Sequence, residues 1–201
     1  TQNSHFSVYQ ITPVLNGIDT VNFYRRVNSI VDRQTIELTG RPVVMFVTSS
    51  FPAPVKGTHF IEDLAKRMPE VDFLVLGQKG EVEDLPQNIH LLGRVYDRDK
   101  MALYYSLSDA TILVSKAETF SMPVAESLCC GTPVVGFKAG GPESICLDEY
   151  CKFVDYGDVD SLQQALNYIL SQSFDRDKMS KEAIQKYSKK AMADGYIAVY
   201  N

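Results

Sequence analysis

At 201 residues, with 45% hydrophobic and 22% charged side chains, the chain has the composition of one soluble globular domain large enough for a substantial core. Its net charge of −5 argues against a general nucleic-acid binder, although a local basic groove could still hold phosphate. No apolar run approaches the roughly 18 residues needed to cross a bilayer, and Thr1–Gln10 lacks a signal-peptide pattern, so a cytoplasmic protein is expected. The four cysteines (Cys129, Cys130, Cys146, Cys151) form no CxxC pair and have no histidine at zinc spacing, which points to reduced thiols and no metal site. The opening TQNSHF reads as a cut end, so a preceding partner domain is expected.

In chain order, Val8–Val14 is a short apolar stretch leading into Asn16-Gly17-Ile18-Asp19, whose Asn-Gly pair signals a turn. Thr20–Glu37 mixes charged and apolar residues without a firm period and reads as a connecting segment with helical parts. Val43–Val47 is the first clear buried strand. The loop Thr48–Gly57 follows; it is long for a strand-to-helix connection, which often marks function. Lys56 beside Gly57 puts a cation on flexible backbone just ahead of a helix over Thr58–Met68, where it either meets phosphate or stays a solvated surface lysine. His59 on that helix reads as a surface or partly packed residue rather than a ligand.

Phe73–Leu76 before Gly77 and Ile89–Leu92 before Gly93 repeat a strand-then-glycine ending, which lets a ligand or another strand approach the backbone. Asp97 is placed to cap a helix through Ser106, whose stripe of Met101, Tyr104, Tyr105 and Leu107 is most simply core. Thr111–Val114 arrives as another buried strand, a polar turn ends at Ser121, and Met122–Cys130 has helical spacing stopped by Gly131. Pro133–Phe137 opens the next strand. Gly140-Gly141-Pro142-Glu143 then either cradles an anion or makes the bend, and the absence of GxGxxG removes the nicotinamide-type fingerprint. Phe153–Val154 ends a last strand, and Asp160 is placed to cap an amphipathic helix Ser161–Ser171, with Leu162, Ala165, Leu166 and Ile169 on one face. Asp175–Asn201 is predicted helical, wrapping the outside. Six strands alternating with helices predict an α/β fold: a Rossmann-like parallel sheet flanked by helices.

The most informative stretch is Ser115–Gly136, because Glu118 and Glu126 flank its helix start with seven residues between them. A helix N-terminus offers free N–H groups and a partial positive charge. Thr119, Phe120, Ser121 and Met122 therefore make a pyrophosphate seat, with Lys56 supplying a full charge. Glu126, about one turn into the helix, is placed to accept hydrogen bonds from ribose hydroxyls, each charge-assisted contact contributing on the order of 1.5–3 kcal/mol. Glu118 would meet the hydroxyls of a sugar carried by the pyrophosphate. On spacing alone the alternative stays open that both are solvated carboxylates.

These residues resemble glycosyltransferase family four, the retaining GT-B enzymes that use nucleotide sugars. The family's Glu-x7-Glu motif matches Glu118-Thr119-Phe120-Ser121-Met122-Pro123-Val124-Ala125-Glu126, and Cys130–Val135 resembles the stretch that follows it. Pro13–Asp19 resembles the family's domain-junction element, Lys56-Gly57 its phosphate lysine, Gly93-Arg94-Val95 its base-side loop, and Gly140–Glu143 its glycine turn. The similarity runs from about residue 8 to 170. It implies the C-terminal, donor-binding half of a GT-B enzyme, with Glu118 on the transferred sugar, the backbone of Phe120–Met122 on the diphosphate and Glu126 on the ribose. Lys56 would stabilise the departing diphosphate, and Glu118 and Lys56 are thereby the implied catalytic pair. The donor would be a UDP-sugar or GDP-sugar, with no cofactor and no metal. Where the family usually has Gly-Arg, this chain has Thr48-Ser49-Ser50, so Ser49 and Ser50 would offer hydroxyls in place of a second phosphate cation.

The implied organisation is one nucleotide-sugar-binding domain over 1–201: a leading segment 1–40, a core 41–172 and C-terminal helices 173–201. The acceptor domain would precede it, would carry the glycan or lipid-linked acceptor of a cell-envelope pathway, and would make any peripheral membrane contact. Two rival readings are a non-hydrolysing sugar-nucleotide epimerase of the same architecture and a non-catalytic nucleotide-binding module.

Overall fold

The computed structural model describes residues 12–27, 38, 40–81 and 84–200. These form a six-stranded sheet of β1 (Val43–Phe51), β2 (Asp72–Lys79), β3 (Ile89–Gly93), β4 (Ala110–Leu113), β5 (Val134–Phe137) and β6 (Cys151–Val154). Every neighbouring pair is parallel and the order is β3-β2-β1-β4-β5-β6. The first half of the chain steps outward from β1 in one direction and the second half in the other, so β1 and β4 meet at the topological switch point. Val43–Phe46, Phe73–Leu76, β4 and β5 are buried residue after residue. That continuity is what a parallel strand covered on both faces requires, and it is why these strands read as apolar runs rather than as alternations.

Helices cover both faces. On one side α1 (Thr58–Arg67) and α5 (Val159–Ser171) bury Ile61, Leu64, Leu162, Leu166 and Ile169 against Val44, Phe73 and Ile112. On the other, α2 (Arg98–Leu107), α3 (Met122–Cys129) and α6 (Arg176–Tyr187) pack Tyr105, Val124, Leu128, Met179 and Tyr187 against Met45, Leu74 and Leu113. A short α4 (Pro142–Ile145) precedes β6, and α7 (Lys189–Tyr200) follows α6 without a buried residue of its own. Ile18 and Phe23 on one flank of 41–172, and Met179, Ala183 and Tyr187 on the other, belong to the same buried cluster as the sheet.

Three sequence expectations shift. The loop expected from Thr48 starts later, because β1 resumes after an irregularity at Val47/Ser50, pairing Ser50 with Gln78 and Phe51 with Lys79. Burial of the Phe51 ring holds that extension down, and a 3-10 turn, Pro54–Lys56, completes the connection. Gly77 lies inside β2 rather than after it. The cap of α5 is Asp158, not Asp160: the Asp158 carboxylate accepts from Ser161 N at 3.0 Å and Ser161 Oγ at 2.7 Å, while exposed Asp160 pairs with Arg67. Residues 20–24 form turns and bends and 25–27 carry no regular element; residues 28–37 of the segment expected to have helical parts, and most of the Val8–Val14 stretch, lie outside the described residues. By contrast Asp97 caps α2 as expected, accepting from the Asp99 and Lys100 amides.

One side chain ties the N-terminal edge of this sheet together. The Arg176 guanidinium donates to the carbonyls of Gly131, Ser106 and Ser108 and to Thr132 Oγ1, at 2.6–3.0 Å. Thr132 Oγ1 in turn donates to Tyr105 O. Arg176→Met removes donors from several partly buried acceptors at once, so it is expected to cost roughly 2–4 kcal/mol in urea denaturation. A midpoint unchanged from the parent would contradict this role.

Candidate functional site

The C-terminal ends of β1 and β4 open into a cleft of about 460 Å³. Its floor is Val47, Thr48 and Ser49 from β1 and Leu113 and Ser115 from the end of β4; Glu118–Pro123 forms one wall and Lys56 the other. Lys56 Nζ donates to Glu118 Oε1 at 2.9 Å, across 62 residues of sequence. Neither side chain is sealed in, with 40% and 21% of their respective surfaces exposed.

Two glycines make this meeting possible. Gly57 follows Lys56 at φ 75°, and a Cβ there would stand 2.4 Å from the Val114 carbonyl oxygen. Only a glycine permits both the left-handed backbone and the close approach to the end of β4. On the other wall, Glu118 N donates to Ala139 O and Gly141 N donates to Glu118 O. A Cβ on Gly141 would stand 2.1 Å from Thr119 O. The glycine turn therefore serves as a backbone buttress for the Glu118 loop. Its free-amide function is already taken: Glu143 accepts from Ala139 N at 3.0 Å and from Gly140 N at 2.8 Å, so the anion these amides cradle is the chain's own carboxylate. Those amide bonds hold the Glu143 carboxyl below its ordinary range against the opposing effect of burial.

Ser121 precedes α3 with φ 68°, a left-handed conformation that costs a non-glycine residue on the order of 1–3 kcal/mol. The residue is 94% buried, since 6% of its surface is exposed, yet among the described residues its hydroxyl has no hydrogen-bond partner, and it does not cap the helix. The Met122 amide at the first helical position has no intrahelical acceptor, and Pro123 has no N–H to satisfy. A strained backbone, an unpartnered hydroxyl and the positive end of α3 thus converge on the cleft. That combination is suited to an anion. Phe120 anchors the loop from below, its ring meeting Tyr187 edge-on at 6.4 Å.

Glu126 sits one turn further along α3, half-buried and outside the cleft lining. Its Oε2 accepts from the Tyr105 hydroxyl at 3.1 Å. Burial pushes the Glu126 carboxyl up, partly offset by that hydrogen bond and by the charge of Arg98. Burial, with the adjacent Glu126 charge, also pushes the Tyr105 phenol well above its ordinary range. Tyr105 was expected only as core and proves to be the partner that orients Glu126; its place on the buried stripe of α2, in the turn after Met101, was the one available signal. Tyr104, expected on the same core stripe, is buried.

Of the sequence-predicted site residues, Lys56, Ser49, Glu118, Thr119, Phe120, Ser121 and Met122 share the cleft. Ser50 does not: it turns into the β1–β2 ladder, and its carbonyl accepts from Thr48 Oγ1. Gly93 ends β3 and Val95 is half-buried beside it, both outside the cleft lining. Arg94 starts from the same place, but its guanidinium reaches back to Ser49 O at 3.3 Å. Asn16, Thr48 and Ser115 also line the cleft and were not singled out as site residues. The Asn-Gly turn at Asn16 was visible in the sequence; its arrival beside β1 was not. A larger groove of about 620 Å³ runs between Thr12–Leu15 and α7, with Lys186 as its one titratable lining residue among the described residues. Among the described residues no helix is long and apolar enough to cross a membrane.

The same arrangement of sheet and helices recurs in solved structures. The C-terminal domain of a glycosyl transferase group 1 family protein (LpcC) from Francisella tularensis matches with a TM-score of 0.67 at 22% identity, over 86% of this chain and all of that one. The Anabaena protein HepE, solved in complex with UDP, matches with a TM-score of 0.77 at 20% identity, over 93% of this chain and 56% of its own. The architecture is that of the C-terminal half of a GT-B fold. The family follows from the sequence itself: residues 32–186 match the model of the glycosyl transferases group 1, and the chain belongs to that family. Among curated relatives, N-acetyl-alpha-D-glucosaminyl L-malate synthase of Bacillus anthracis is 23% identical over 94% of this chain and 53% of its own length. The chain spans about half the length of the first curated relatives it matches.

A buried carboxyl with a raised pKa has a defined pH signature. The burden of ionising Glu126 in the folded chain is absent while the group is protonated in both states, and it grows as pH rises from the unfolded carboxylate range through the higher folded value. Glu126→Gln keeps an acceptor for Tyr105 and removes the charge. It is expected to melt above the parent at about pH 7 and to converge with it near about pH 4. A variant that melts below the parent at neutral pH would contradict the burial argument.

Proposed function

We propose that the chain is the donor-binding half of a retaining transferase of glycosyltransferase family four, taking a sugar from a UDP-sugar or GDP-sugar. The observation that carries this reading is the convergence on one cleft of the Lys56–Glu118 pair and the open N-terminal end of α3 with its unpartnered Ser121 hydroxyl. Family membership and the UDP-bound HepE neighbour support a nucleotide diphosphate as the anion.

In this reading the diphosphate lies against Thr119–Met122, and Lys56 exchanges Glu118 for phosphate oxygens. Glu118, so released, accepts hydroxyls of the sugar, while Glu126 accepts those of the ribose. As the glycosidic bond to the diphosphate breaks, negative charge grows on the leaving oxygens, where Lys56 and the helix dipole stabilise it. No metal is assigned to this step. The acceptor, a glycan or lipid-linked molecule, would be held by a partner domain on the N-terminal side, in a cytoplasmic enzyme whose membrane contact runs through that domain. The chain as it stands would bind donor and transfer no sugar.

The internal ion pair makes a counter-intuitive prediction. Glu118→Gln frees Lys56 and removes a like charge next to the diphosphate, so affinity for UDP or GDP without a sugar should rise about three- to ten-fold at low salt. Lys56→Ala should lower it by a similar factor. Calorimetry reads both. A weaker UDP and GDP affinity in Glu118→Gln would contradict the exchange, and sugar transfer by the 201-residue chain would contradict its dependence on a partner domain.

A further inference from the structure

We infer that Arg94 is a second anchor for the donor diphosphate, reaching the cleft from β3 across β2. The inference rests on the donor-binding reading above and adds a residue to it. Among the described residues, the charged side chains lining the cleft are Lys56 and Glu118, and they cancel. A diphosphate is a multiply charged anion, and the chain as a whole is acidic at −5. The site as lined therefore needs another cation to hold such a ligand against repulsion.

Arg94 has the position and the free charge. Arg25, Arg26, Arg41, Arg67 and Arg98 each face an aspartate. Among the described residues, Arg94 meets neutral acceptors alone: Ser49 O at 3.3 Å, Gln78 Oε1 at 3.4 Å and Tyr96 Oη at 3.3 Å. These three bonds are long, and neutral acceptors are weaker partners for a guanidinium than phosphate oxygens. The bond to Ser49 O brings the group to a residue of the cleft floor, and none of the three neutral acceptors satisfies its charge. Arg94 directly follows β3, yet the guanidinium ends at the carbonyl of Ser49, on β1 at the switch point and part of the cleft floor. A group serving the outer side of the sheet would stay over β3. Two of its donors, Nε–H and one N–H of Nη1, remain for a ligand.

The test is calorimetry of the 201-residue chain with UDP and with GDP, at low and moderate salt, for the parent, Arg94→Gln and Arg94→Lys. Whichever nucleotide the parent binds, Arg94→Gln should bind it about ten-fold more weakly, with a shallower salt dependence. Arg94→Lys, which keeps the charge and loses the fork, should fall between them. Thermal melting of Arg94→Gln should match the parent, since the side chain is exposed; if it does not, Arg94→Lys carries the comparison. Unchanged affinity overturns the assignment, and so does weakened affinity with an unchanged salt dependence, the mark of a contact to the base. If the parent binds neither nucleotide, the donor-binding reading itself fails, and the Arg94 assignment fails with it.

Discussion

Lys56 and Glu118 come within 2.9 Å of each other because two stretches of backbone are pressed against their neighbours more closely than any side chain would allow. Gly57 lies on the Val114 carbonyl and Gly141 on the Thr119 carbonyl. The first fixes the turn that carries the lysine, and the second fixes the loop that carries the glutamate. The remaining features of the cleft follow from where these two contacts put the chain: β1 and β4 end side by side, and α3 starts with its amides facing the gap. An alanine at either glycine would separate the walls before it touched any ligand.

Around this constraint the site holds several local costs. Ser121 is in a left-handed conformation with a buried hydroxyl that has no partner among the described residues, and Glu126 is partly withdrawn from water with a tyrosine hydroxyl and the charge of Arg98 for support. Each is locally unfavourable, and the packing beneath them is what sustains it. Phe120 and Tyr187 meet edge-to-face under the loop, and Val124, Ala125 and Leu128 bury the opposite face of α3. Ligand hydroxyls and phosphate oxygens would relieve these costs one by one. The site is thus prepared for polar groups by leaving its own polar groups underserved.

Much of the fold was legible because parallel strands buried on both faces leave apolar runs that need no partner to be seen. Val43–Val47, Phe73–Leu76 and Thr111–Val114 are examples. Local hydrogen bonding was legible where one residue qualified, as with Asp97, and misled where two did: Asp158 and Asp160 both stand at the start of the helix, the first just before it and the second in its first turn, and only Asp158 lies three residues before the Ser161 amide it caps. The continuation of β1 through Phe51 was hidden because it depends on pairing with Gln78 and Lys79, well along the chain. The same holds for the site. The Glu-x7-Glu spacing exposed Glu118 and Glu126, since both sit on one loop and helix. Their actual partners, Lys56 and Tyr105, lie 62 and 21 residues away, and the pairings exist only in three dimensions. Glu143 shows the converse: an amide cradle that looked open in sequence is closed by a carboxylate three residues on.

The central claim is that an anionic ligand enters at the switch point between β1 and β4 and seats on the head of α3. Amide chemical shifts followed by NMR while the chain is titrated with UDP or GDP test it most directly. The account predicts that the largest shifts fall on Thr119–Met122 and on Thr48 and Ser49. Shifts confined to the groove between Thr12–Leu15 and α7, with the α3 amides unmoved, would contradict it.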